Sequence, residues 1–205
     1  KQLISPSHQE SESYLLSYYG RMNYGFNDKY LITATLRADA SSRFSSSNRW
    51  GYFPSVAAAW RINNEKLLSS IKDLSNLKLR LSYGKTGQQD IGSDYPYQST
   101  YTASYNESRY QFGDTWLTTY RPNGYDPNIK WETTTTYNIG LDWGFLNNRI
   151  SGSLDYYHRK TNDLLNTIYV PAGSNFTNMI TTNIGSMKND GIEIAVSAIR
   201  VKTSK

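Results

Sequence analysis

The chain has 205 residues, a net charge of +5 with no basic run, and no cysteine. That composition excludes a disulfide framework, thiol chemistry and a Cys-based zinc site, and it gives nucleic-acid binding no footing. No apolar run approaches the roughly 20 residues of a transmembrane helix, while 18 Tyr and 5 Trp against 6 Phe favour rings with a polar tip, suited to a boundary between apolar and wet surroundings.

Residues 1–12 read as a leader or preceding loop. The first predicted strand runs from about Glu12 to Phe26, with Tyr14, Leu16, Tyr18, Met22, Tyr24 and Phe26 on one face. Asn27-Asp28 is a two-residue hairpin turn. The second strand, Lys29 to Ala40, sets Tyr30, Ile32, Ala34, Leu36 and Ala38 against Thr33, Thr35, Arg37 and Asp39. A polar loop, Ser41 to Arg49, leads to the third strand, Trp50 to Ile62. Its Trp50, Tyr52, Val56, Ala58, Trp60 and Ile62 share a side, and Pro54 marks a bulge or an irregular end. Residues 63–76 read as a turn with a short helix, from the spacing of Leu67, Leu68 and Ile71. The fourth strand spans Leu77 to Gly84. A long loop rich in Tyr, Ser, Thr, Asn and Gly follows, about 85–129, with room for a hairpin of its own.

The clearest pattern lies between Trp131 and His158. Trp131, Thr133, Thr135, Tyr137, Ile139, Leu141, Trp143 and Phe145 share one parity, and polar or small residues hold the other. After Asn147-Asn148 the pattern resumes with Ile150, Gly152, Leu154 and Tyr156. A second long loop, about 161–183, precedes a seventh strand from Ile184 to Ala198, and residues 199–205 form a polar end. Strand side chains point to opposite faces at each step, so such runs mean long antiparallel strands with one apolar and one polar face. Soluble strands usually stop near five or six residues; membrane-crossing strands need about ten. Connections at 27–28, 63–76 and 146–149 are short or compact, and those at 41–49, 85–129 and 161–183 are longer and more polar. Outer-membrane barrels sort their loops in this way. The expected fold is therefore all-β, an antiparallel transmembrane barrel sector. Seven strands do not close a barrel, and the chain, which opens on Lys1 and stops in a polar run, reads as part of a longer protein.

Several stretches in order resemble the C-terminal part of the barrel in the SusC/RagA family of TonB-linked outer-membrane proteins. They are Arg37 to Phe44 (RADASSRF), Trp50 to Ile62 (WGYFPSVAAAWRI) and Leu77 to Gln88 (LKLRLSYGKTGQ). Trp131-Glu132, Asn138 to Asp142 (NIGLD), Asn148 to Tyr157 (NRISGSLDYY) and Asn183 to Glu193 (NIGSMKNDGIE) continue the series. Each is weak alone; the ordered set, covering about residues 13–198, is specific. The resemblance implies a barrel of about 22 strands with a plug, importing oligosaccharides or peptides with energy delivered by TonB, beneath a SusD-like surface lipoprotein. The plug, the TonB-contacting box and the terminal assembly signal are not among these residues, which leaves transport to a larger chain.

Candidate sites divide by face. Arg21, Arg37, Asp39, Arg61, Arg80, Glu132, Asp142, Asp155 and Glu193 fall on the polar parity and are expected to line the lumen. Tyr95, Tyr97, Tyr101, Tyr105, Tyr110, Trp116 and Tyr120 in the long loop are the substrate-binding candidates, since aromatic faces suit sugars and peptides. The competing reading of those rings is packing of the loop on itself or against a lid. Gly84-Lys85-Thr86 imitates a phosphate loop, but Leu79 stands where its first glycine belongs. Asp155 and His158 point to opposite strand faces, and His8 has no partner, so neither a metal pair nor a catalytic triad is expected. No cofactor and no enzymatic activity are expected. The alternative function is a soluble, secreted β-rich carbohydrate-binding module with the same Tyr rings lining a sugar groove.

Overall fold

Alternation sustained over a dozen residues requires a sheet that separates two environments, and the chain builds one. The computed structural model describes residues 11–199 except Leu67, Ser69, Ser70, residues 105–107 and Ala172. In chain order the strands are β1 (Leu15–Phe26), β2 (Tyr30–Ser41), β3 (Trp50–Arg61) and β4 (Leu74–Gln88), then four of three residues each. These are β5 (Tyr101–Ala103), β6 (Tyr110–Phe112), β7 (Thr115–Leu117) and β8 (Tyr120–Pro122). The remainder are β9 (Glu132–Phe145), β10 (Ile150–Asn162), β11 (Leu165–Tyr169), β12 (Met179–Asn183) and β13 (Ser186–Ala198). Seven long strands pair antiparallel in the order β1-β2-β3-β4-β9-β10-β13. The short strands form hairpins inside the two long loops, β5 with β8, β6 with β7, and β11 with β12.

Register carries the two-faced pattern across the sheet. Leu81, Ile139, Tyr156 and Ile192 face one another along one cross-strand row, and Ser82, Asn138, Tyr157 and Gly191 along the next. The apolar face is uncovered, with Ile192 and Ile194 about 70% exposed. β1 and β13 each have one bonded neighbour among the described residues. A bare apolar face and two open edges suit a sector whose neighbours are lipid and further strands.

At one end the joints are tight. Asn27 and Asp28 both take φ of 52°, the left-handed pair of a two-residue hairpin, and the Lys29 amide donates to the Phe26 carbonyl at 3.0 Å. Among the described residues of 63–76 the expected helix is not formed: a 3-10 turn covers Ile62–Asn64, and single turns closed by Leu68, Ile71 and Leu74 amides follow, while Leu67 of the expected spacing lies outside the described residues. Glu65 explains this. Its carboxylate accepts from Lys29 Nζ at 2.8 Å, Tyr30 Oη at 3.0 Å and Trp60 Nε1 at 3.2 Å, pinning the chain back onto β2 and β3.

At the other end the ladders outrun the hydrophobic pattern. β4 continues past Gly84 to Gln88, paired with β9 as far as Glu132, and β10 continues past His158 to Asn162. The long loops thus begin later than 85 and 161. The seventh strand starts at Ser186, after a turn in which Gly185 has φ of 85°. The buried core also sits at this end rather than within the sheet: Phe44, Phe53, Ile129 and Trp131, with Ile91, Tyr97 and Leu165 packed on it. Trp131, expected on the apolar row, is buried instead, its ring 5.1 Å from Phe44 and 5.3 Å from Phe53. Pro54 accounts for the space that core fills. It offers no amide hydrogen, the β3–β4 ladder ends at Ser55–Gly84, and Phe53 turns into the gap over Gly51 and Gly87.

Candidate functional site

The polar face of the sheet carries all nine charged residues singled out by parity, and several are tied to one another. Arg80 on β4 donates from Nε and Nη2 to Asp142 on β9 at 2.8–3.1 Å, and from Nη2 to both Asp155 oxygens on β10 at 2.9 Å. Lys78 holds Asp142 from the other side at 2.8 Å. Arg80, Gly140 and Asp155 are in one register row. The guanidinium reaches Asp155 by crossing Gly140, where an added Cβ would fall on the carboxylate and lie 2.6 Å from Arg80 Nη2. Arg37 grips the buried Asp39 through Nε at 2.8 Å, and Arg21 Nε reaches Thr35 Oγ1 at 3.3 Å. Glu132 accepts the Leu165 amide at 3.0 Å, tying the sheet to the second long loop. Arg61 stands opposite Lys78, and Glu193 opposite Asp155. Asp155 and His158 do lie on opposite faces; His158 pairs with Asp190 on the apolar side.

Above the sheet the loops form a roof. Trp131 Nε1 donates to the Arg49 carbonyl at 3.0 Å. Arg43 bridges Asp94 and Asp90, each at 3.1 Å. The Asp94 carboxyl is held below the ordinary range by the Ser11 hydroxyl and then by the Arg43 guanidinium. The two long loops are laced together: Tyr125 and Asn175 exchange two hydrogen bonds of 3.3 and 2.9 Å, Thr182 donates to Asp126 at 2.6 Å, and Lys130 and Asn183 exchange two more. Against the polar face under this roof lies a cavity of about 400 Å³ lined by Arg37, Asp39, Phe53, Gln89 and Trp131.

The loop aromatics separate into roles. Tyr97 packs on the buried core, and Tyr95 donates to the Glu12 carbonyl at 3.3 Å. Tyr101 and Tyr120 share a face of the β5–β8 ladder, both more than 60% exposed. Tyr110 and Trp116 stand on opposite faces of the β6–β7 hairpin, also exposed. Tyr105 lies outside the described residues. Sequence reasoning missed Tyr125 and Phe176, stacked at 5.7 Å, with Tyr101 at 6.5 Å from Phe176. It also missed Phe44 and Phe53. Phe53 did carry a signal, as a large aromatic on the polar parity of its strand.

Residues 4–199 match the family model described as TonB dependent receptor-like, beta-barrel. The chain belongs to that family. As a TonB-dependent receptor barrel it has its place in the bacterial outer membrane, and the family is one of receptors and transporters rather than enzymes. The chain is 51% identical over 189 residues to the TonB-dependent receptor SusC of Bacteroides thetaiotaomicron, covering 92% of this chain and 19% of that protein. It is 38% identical to TonB-dependent receptor P26 of Formosa agariphila, again over 92% of this chain and 19% of the relative. Among solved structures, the RagAB peptide transporter superposes with a TM-score of 0.78 at 35% identity, over 91% of this chain and 20% of that one. The siderophore receptor PirA from Pseudomonas aeruginosa, at 16% identity and a TM-score of 0.56, shares the fold. This TonB-dependent receptor segment spans about a fifth of the length of the relatives it matches. Neither the family nor the uncovered apolar face supports a soluble sugar-binding module.

Proposed function

We propose that these residues form a wall sector of an outer-membrane importer that takes up oligosaccharides or peptides. Energy would come through TonB, and a SusD-like surface lipoprotein would sit over the long loops. The observation that carries this reading is the 51% identity to SusC across nearly the whole segment. The likeness to the RagAB peptide transporter supports peptides as the alternative cargo. The polar face, with Arg80 and its carboxylates, would line the lumen, and the segment would perform no catalysis. The Arg80 network would brace β4, β9 and β10 and hold charge against a plug or passing solute. The exposed rings Tyr101, Tyr110, Trp116 and Tyr120 would meet cargo, and Tyr97 would only support the roof. Residues 13–198 would be the barrel part; 1–12, read as a leader or preceding loop, and 199–205, read as a polar end, fall almost wholly outside the described residues.

Uptake of labelled oligosaccharides and peptides by cells carrying the full-length receptor tests the proposal. One cargo class is expected to enter and to depend on TonB. Replacing Tyr101, Trp116 and Tyr120 by Ala is expected to lower that uptake about tenfold, with surface level unchanged, as for the anchor residues of an interface. Uptake independent of TonB would overturn the importer reading, and unchanged uptake in the triple variant would overturn the assignment of the rings.

A further inference from the structure

The apolar face does not stay apolar up to the loops. Outward from the Leu81–Ile139–Tyr156–Ile192 row, the next row is Tyr83, Tyr137, His158 and Asp190. Its rings adjoin, Tyr83 to Tyr137 at 5.2 Å and Tyr137 to His158 at 6.3 Å. The row after that is Lys85, Thr135, Lys160 and Lys188. Apolar, then aromatic, then lysine is the order of a wall passing from hydrocarbon through the interface into the headgroup layer. The lysine row lies on the long-loop side, where β4, β10 and β13 give way to the outer loops.

Several features make this row more than a solvated fringe. Lys160 and Lys188 are direct cross-strand partners, an opposition of like charges that costs stability unless an anion intervenes. The carboxylate one row below, Asp190, is hydrogen-bonded by His158 and by Tyr156 Oη at 3.4 Å; Lys188 feels its charge without pairing with it. Among the described residues none of the three row lysines is in an ion pair, whereas Lys29, Lys78 and Lys130 each have a carboxylate. Lys85 also borders an outward cleft of about 330 Å³ with Trp50, Tyr52 and Thr133, where β3 has parted from β4. Four strands at about 4.8 Å spacing spread the cations over about 14 Å, the width of a headgroup rather than of a single small ion.

We propose that Lys85, Lys160 and Lys188 form a binding site for the phosphate-bearing headgroup of an outer-leaflet lipid. The acyl chains would lie down the Ile139–Tyr156–Ile192 wall and the headgroup would reach towards the cleft. The site rests on the outer-membrane orientation of the sheet. It is independent of what the receptor imports.

The test uses the full-length receptor in non-ionic detergent, titrated with phosphatidylglycerol, with phosphatidylcholine and with inorganic phosphate, and bound lipid is read by native mass spectrometry. Barrel folding is followed separately by heat-modifiable gel mobility, so that loss of the barrel is distinguished from loss of the site. Wild-type protein is expected to bind phosphatidylglycerol in preference to phosphatidylcholine. K85Q, K160Q and K188Q are each expected to weaken that binding about fivefold, more in combination, while K72Q on the short-turn side leaves it unchanged. Equal binding by wild type and the triple variant, with the barrel folded, would overturn the proposal. So would an equal loss in K72Q, or inorganic phosphate displacing the lipid at comparable concentration, which would make the row an anion site without a lipid. The single variants keep the test intact if the triple variant does not fold.

Discussion

At the scale of single residues, Gly140 shows how closely the polar face is built. The Arg80 guanidinium crosses it to reach Asp155, and no side chain fits between them. Gly140→Ala is expected to destabilise the full-length barrel by about 1–3 kcal/mol through overpacking. Gly20→Ala, where an added Cβ meets nothing within 4 Å, is expected to be close to neutral. Denaturant unfolding of the refolded receptor checks both. Asp94 supplies a pH dependence. Its carboxyl lies below the ordinary value of 3.8, because the Ser11 hydroxyl and then Arg43 favour the anion. A depressed folded-state pKa adds stability that is present above the unfolded value and lost as pH falls through the folded one. Docking of the loop through Arg43 is therefore expected to hold at pH 5 and to loosen below about pH 4. Limited acid proteolysis of residues 89–131 would report it, and Asp94→Asn is expected to remove most of the pH dependence.

At the scale of elements, strand facing is the quantity to test. Ile139 and Asn138 are neighbours on β9 that point to opposite faces, in the Leu81–Ile139–Tyr156 row and the Ser82–Asn138–Tyr157 row. A cation on the lipid face at mid-membrane costs about 2–4 kcal/mol, and much less on a wet face. Ile139→Arg is thus expected to cut folding yield into vesicles, while Asn138→Arg is tolerated. Equal yields would reverse the facing assignment. The long strands were legible because each places a bulky residue at every second position, as in Met22, Tyr24 and Phe26. Their upper ends were not, because Lys85, Lys160 and Asn162 lack the apolar signal while their backbones remain paired. The helix expected in 63–76 is not formed by the described residues there, for a related reason. Helical spacing of a few leucines cannot outweigh Glu65 being held by three partners on neighbouring strands.

At the scale of the whole molecule, seven strands expose one apolar face and, among the described residues, leave β1 and β13 with a single neighbour each. In hydrocarbon an unpaired edge leaves backbone groups unsatisfied, at a cost of several kcal/mol per group. Residues 15–198 expressed by themselves are expected to pellet without detergent and to show no heat-modifiable band, whereas the full-length receptor shows one. A monodisperse soluble monomer would contradict the barrel.

The sequence by itself determined the seven long strands, their facing and the sorting of short from long connections, because all three are written locally in a period of two. It also placed the nine charged residues on one parity. Only the tertiary structure decided which of those charges meet: Arg80 with Asp142 and Asp155 depends on register across three strands, which no local pattern encodes. The same holds for the roof. Phe44 and Phe53 are far in the chain from Ile129 and Trp131, and the two pairs converge because Pro54 ends the β3–β4 ladder and opens the space they fill. Among the loop rings, Tyr97 and Tyr101 are alike in sequence context. Long-range packing buries the first on that core and leaves the second exposed beside Phe176.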